Sequence, residues 1–131
     1  MAAGGRGNGC KGIHMPYTAK HRFARISPTK VRPIARLIKG MPVPKALETL
    51  HFSPKRGAKM LEKVLRSAVA NAGVEAEPDE MFVQDARVDG GPAATGTKRW
   101  IPVSRGMAHP IKKRTSHIMV TVEQTQAQGE V

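Results

Sequence analysis

From Ser27 onward, apolar residues recur at helical spacing in three separate stretches. Val31, Ile34, Ala35 and Ile38 form the first stripe. It opens on Ser27-Pro28, a capping residue followed by proline at the first helical position, and closes at Gly40. This spacing predicts a helix over Pro28–Lys39. Pro33 should kink it or loosen its first turn, because the ring removes the N–H that would bond the Thr29 carbonyl. A shorter helix over Pro44–Phe52 turns Ala46, Leu47 and Leu50 inward. Ser53-Pro54 repeats the cap-plus-proline signal and opens the longest helix, Pro54–Ala72. Its stripe is Ala58, Leu61, Val64, Leu65, Ala68, Val69 and Ala72.

Either side of these helices the period changes to two. Ala19–Ile26 reads as a short strand, with Lys20 and Arg22 as a basic edge over an apolar contact from His21, Phe23 and Ile26. Met81–Asp89 is strand-like, and Thr115–Val122 alternates: Ile118, Val120 and Val122 on one side, Thr115, His117, Met119 and Thr121 on the other. Between the last two runs lies a stretch broken by Gly90, Gly91, Gly96 and Gly106 and by Pro92, Pro102 and Pro110, so no long helix runs through it. Two strands joined by such a middle predict one extended β-hairpin over about 88–116. Its arm, at ~3.3 Å per residue, would reach on the order of 45 Å. The expected fold is α+β: three helices on one face of a small antiparallel sheet, plus a long hairpin. Residues 1–18 read as a flexible Gly-rich tail, 19–123 as a single domain and 124–131 as a second tail.

Charge sharpens this picture. The 131-residue chain carries 22 Lys and Arg against 10 Asp and Glu, a net charge of +12. Thirteen of the basic residues lie between Lys20 and Arg66, against only Glu48 and Glu62. Gly90–Val122 contains no acid at all, and Glu75, Glu77, Asp79 and Glu80 gather in one loop. Rows of Arg and Lys on helix faces and on an arm with no core of its own suit phosphate oxygens. Trp100, beside Lys98-Arg99, is placed either to stack on a base or to pack across the hairpin on Pro102 or Val103.

Other chemistry is not written into the chain. There is no HExxH, CxxC, GxSxG or P-loop, and the acids form no paired cleft. No enzyme activity, cofactor or metal is expected; Cys10 and His14 alone make no metal site. A single cysteine allows no internal disulfide. No run approaches the ~18 apolar residues of a membrane span, and the N-terminus has no hydrophobic signal core. A protein of the cell interior is expected, with no membrane partner.

SPTKVRPIARLIKG, KALETL, SPKRGAKMLEKVLRSAVANA, VDGGP, KRWIP and KKRTSHIMVTV, in that order, resemble the bacterial-type ribosomal protein L-twenty-two family of the large subunit, over about Ala19–Glu123. The resemblance implies a compact α+β body with a very long hairpin. It implies a structural role in the cytoplasmic ribosome: binding 23S-type ribosomal RNA, aiding subunit assembly, and touching neighbouring large-subunit proteins, without homo-oligomers. Carried over by position, it implies RNA contacts at Lys20, Arg22, Arg25, Lys30, Arg32, Lys98, Arg99, Arg105, Lys112, Lys113, Arg114, Ser116 and His117. It further implies that Lys98, Arg99, Trp100 and Arg105 line the exit tunnel and meet the nascent peptide in passing. The chain departs from the family pattern at Val103, Met107, His109 and Pro110, which replace basic or small polar residues. A free-standing nucleic-acid-binding module and a basic adaptor for an acidic protein surface are the other two readings of the charge pattern.

Overall fold

The sheet is organised around the last strand in the chain. The computed structural model describes residues 16–73, 76–93 and 99–124. In it β5 (Arg114–Gln124) lies between β1 (Tyr17–Ala24) and β2 (Met81–Ala93) and is antiparallel to both. Its alternation falls as the sequence predicts, with Ile118, Val120 and Val122 buried. Three helices follow β1: α1 (Pro28–Ile38), α2 (Val43–Phe52) and α3 (Arg56–Asn71). α3 packs on β1 and β5, and α1 on β2. Val31, Ile34 and Ile38 of α1, Leu50 of α2 and Leu61 and Leu65 of α3 meet the sheet in one core. The architecture is α+β, as expected.

The helix boundaries show where local signals are overridden. Gly40 takes a φ of +80°, the left-handed conformation a glycine adopts freely after a helix. Its N–H donates to the Val83 carbonyl, and the Val83 N–H donates to Met41, so the end of α1 is tied to β2. Ser27 occupies the cap position of α1, but its hydroxyl faces Thr29 Oγ1 at 2.8 Å and makes no capping bond. α1 is continuous through Pro33, which lies exposed on the helix. The longest helix begins at Arg56 rather than Pro54. Ser53 instead closes α2, its N–H donating to Leu50, and proline after it holds it extended.

The hairpin forms two ladders. The first pairs β2 with β5, from Met81 opposite Gln124 to Ala93 opposite Arg114. The second pairs β3 (Arg99–Pro102) with β4 (Ala108–Ile111), from Arg99 opposite Ile111 to Pro102 opposite Ala108. Between the ladders one side holds Lys112 and Lys113, and the other holds residues 94–98, which lie outside the described residues. The loop at the end closes with the Val103 N–H donating to Met107, and Arg105 and Gly106 have φ of 63° and 67°. Tyr17 and Thr18, read from sequence as part of the tail, belong to β1 and pair with Val122 and Thr121. Gln124, read as the start of the second tail, likewise belongs to β5 and pairs with Met81. Residues 1–15 and 125–131 lie outside the described residues.

Candidate nucleic-acid interface

Two bulges decide what the sheet presents. Between Val83 and Asp85 the β2–β5 register shifts by one residue, which lets both Val83 and Val88 face the core although five positions separate them. In β1 the register shifts between His21 and Ala24: two residues, Arg22 and Phe23, oppose the single residue His117. Ala19 and Ala24 are thereby both buried. Phe23 takes a φ of 57°, which a bulky residue adopts at a cost of about 1–3 kcal/mol. Its N–H donates to His117 Nδ1 at 3.1 Å, and the two rings meet edge to face, 4.9 Å apart. The sequence reading placed Phe23 in an apolar contact; the bulge turns it out, leaving it 59% exposed.

The face away from the helices gathers the basic strand residues. Lys20 and Arg22 come from β1 and Arg87 and Asp89 from β2, all exposed, with half-buried His117 and Met119 of β5 between them. A pocket of about 280 Å³ opens here. Phe23 and His117 form part of its wall, Lys20, Arg22 and Asp89 stand with them, and Ile118 and Met119 complete the lining. Strand register brings these residues together, so Asp89, Arg87 and Met119 were not visible as site residues in the sequence. Knowing that β5 sits between β1 and β2 is the signal that would have found them.

The other candidates fall into groups. Arg25 follows β1, and Lys30 on α1 is exposed. Arg32 is exposed too, but its Nε donates to the Val88 carbonyl at 3.3 Å, which fixes the side chain against β2. Arg99, Arg105, Lys112, Lys113 and Arg114 are exposed along the arm. Lys98 lies outside the described residues. Trp100 stands opposite Pro110 and is 55% exposed, so neither Pro102 nor Val103 is its cross-strand partner. Among the described residues the ion pairs are Lys39 with Asp85, Arg66 with Glu62, and His51 with Glu62. None uses Lys20, Arg22, Lys30 or the cations of the arm. The Lys39 ammonium, 2.9 Å from Asp85, holds that carboxyl below its usual range.

Ser116 departs from its expected role. It shares the β5 face of Ile118 and is fully buried. Its Oγ has no hydrogen-bond partner among the described residues, so it is inside the body rather than on a contact surface. Period-two alternation, counted from Ile118, already puts it there. Its neighbour Thr115 is buried as well and donates to the Pro92 carbonyl, bracing the base of the arm.

Charge is separated along the sheet. The acidic turn Pro78–Glu80 precedes Met81, at the end of the β2–β5 ladder furthest from the arm. Glu75 lies outside the described residues. Among the described residues no three His, Cys, Asp or Glu side chains are grouped to hold a metal ion, and no helix is long and apolar enough to cross a membrane.

A helix-backed sheet with a basic open face and an acid-free arm is an architecture for holding a polyanion. Comparison with known proteins makes the class specific. The family model described as Ribosomal protein L22p/L17e matches residues 19–123. The chain is 50% identical over 111 residues to the large ribosomal subunit protein uL22 of Rhodopirellula baltica, covering 79% of this chain and 91% of that protein. It is 49% identical over 105 residues to the protein of the same name from Campylobacter curvus, covering 80% and 91%. With that of Campylobacter hominis it shares 52% over 101 residues, covering 77% and 88%. The chain belongs to the ribosomal protein L22p/L17e family, whose members are structural proteins rather than enzymes.

Proposed function

We propose that this chain is a structural component of the large ribosomal subunit in the cytoplasm, binding its ribosomal RNA through the body and the base of the arm. The observation that carries this reading is the distal arm. Every residue of β3 and all of β4 but Ile111 is exposed, with no core beneath them. Four backbone pairs with little apolar cover make a marginal ladder in water. Such an arm gains a fixed shape when RNA packs against it.

The division of labour follows from the charges. Lys20, Arg22, Arg25, Lys30 and Arg32 on the body, with Lys112, Lys113 and Arg114 at the base of the arm, supply phosphate contacts and hence most of the affinity. Arg99, Trp100 and Arg105, with Lys98, contribute position: they reach the wall of the exit tunnel and meet the nascent peptide in passing. Neighbouring large-subunit proteins complete the contacts, and no homo-oligomer is involved.

A free-standing RNA-binding module would show the same basic face. Sedimentation of cell extracts separates the readings. The chain is expected to travel with large subunits and stay there through a high-salt wash. Release into the soluble fraction at moderate salt would support the free module instead.

A further inference from the structure

We propose that the β1 bulge builds a recognition pocket for one unstacked RNA base that carries an exocyclic amino group. The proposal rests on the RNA-binding reading above and deepens it, from charge along the backbone to the reading of a base.

The bulge lets Ala19 and Ala24 both face the core, but that does not need an aromatic residue at its exposed position. It holds Phe23 in a left-handed conformation that side chains rarely adopt, and it turns an apolar ring into solvent. An observed backbone outlier with an exposed aromatic is the kind of feature that points to a ligand. What surrounds the ring has matching chemistry. The pocket of about 280 Å³ has room to admit a planar ring. The Phe23 and His117 rings stand at 83° to each other, so a base stacked on one meets the edge of the other. His117 Nδ1 is occupied by the Phe23 N–H, which leaves Nε2 as its available polar atom. Gly91 leaves room beside that nitrogen, since a Cβ there would stand 3.3 Å away.

Two kinds of charge line the same pocket. Lys20 and Arg22 suit the phosphates flanking the base. Asp89, opposite His117 in the register, suits none: its carboxylate only accepts hydrogen bonds and repels phosphate. The RNA donors it can accept from are the ribose 2′-hydroxyl, which is the same on every nucleotide, and an N–H on a base edge, which alone would let Asp89 discriminate between bases. Cytosine, adenine and guanine offer an exocyclic amino group. Uracil offers a single N–H between two carbonyl oxygens that a carboxylate repels. An acidic peptide would satisfy Lys20 and Arg22 but leave Asp89 facing like charge, so the base is favoured.

The test uses the full chain with purified bacterial large-subunit RNA and with short single-stranded RNAs of mixed sequence. Binding is measured over a range of salt, and short-wave ultraviolet cross-links are mapped to residue and base. Phe23→Leu is expected to weaken binding about fivefold to a hundredfold with an unchanged salt slope, and Phe23→Tyr to restore it. Cross-links should fall on Phe23 or His117 and carry C, A or G. Asp89→Ala should admit U. A wild-type chain with no salt-dependent RNA binding would overturn the RNA reading and this proposal together. Wild-type binding that Phe23→Leu and Phe23→Tyr both retain in full, with no cross-link in the bulge, would sink the pocket alone. Should Phe23→Leu not fold, the Phe23→Tyr cross-links and the Asp89→Ala base preference decide by themselves.

Discussion

The Phe23 amide donates to the Nδ1 atom of His117 at 3.1 Å, so a side chain of the central strand takes the place of a ladder carbonyl at the β1 bulge. Phe23 is strained there and its ring is mostly exposed, so replacing it should cost the body little. Phe23→Gly gives up the ring contact but relieves a backbone strain of about 1–3 kcal/mol. Urea unfolding should show stability unchanged or higher. A loss of more than ~1 kcal/mol would show that the ring braces the bulge.

Gly90 and Gly91 are adjacent in β2 yet should respond differently to the same change. A Cβ on Gly91 would overlap Thr115 Oγ1, while on Gly90 the nearest atom is Pro28 Cγ at 4.0 Å. Gly91→Ala should destabilise by about 1–3 kcal/mol, the range of overpacking at a site with no slack. Gly90→Ala should be near neutral. Equal effects in thermal melts would mean that Thr115 moves aside freely.

Ser116 and Lys30 should separate burial from binding. Ser116→Ala removes a buried hydroxyl that has no partner among the described residues, so stability should rise by up to ~1–3 kcal/mol while RNA affinity stays the same. Lys30→Glu should instead lower RNA affinity and reduce the log–log salt slope by about 0.7–0.9 for each phosphate no longer neutralised, with folding unaffected. Glu77 and Asp79, in the acidic turn away from the arm, are the controls. A salt slope unmoved by Lys30→Glu would take that residue out of the interface.

The Asp85–Lys39 pair gives a small acid-sensitive term. Lys39 lowers the Asp85 pKa below its ordinary 3.8, so the folded state favours the ionised carboxyl. The stabilisation is therefore present above that ordinary value and is lost as pH falls through the lowered one. Both groups are substantially exposed and water screens them, so the pair contributes under ~1 kcal/mol. Asp85→Asn should cost that much at neutral pH, and its unfolding curve should converge with the wild type in strong acid. A difference that persists there would have to come from packing.

The sequence was most informative where one periodicity acts alone. The stripes of α1 and α3, the alternation of Ile118, Val120 and Val122, and Gly40 behind α1 are all local patterns, and the structure keeps them. What stayed hidden depends on pairing. The bulge at Arg22-Phe23 exists only opposite His117, and its effect is to invert the face a period-two count assigns to Phe23. Asp89 joins Lys20 only because β5 lies between their strands. Ser53-Pro54 misled because one serine can close a helix as readily as open one. Residue type alone marked the basic surface; Ser116 needed its register to be excluded.

The most direct measurement places a photo-reactive amino acid at position 100, on β3 of the distal arm, in large subunits that carry this chain. If the arm lies along the exit tunnel, irradiation links it to large-subunit RNA in every subunit. In translating ribosomes it also links to the nascent peptide, and that second product disappears when the peptide is released. Links only to proteins on the outer surface of the subunit, or none that depend on translation, would contradict the account.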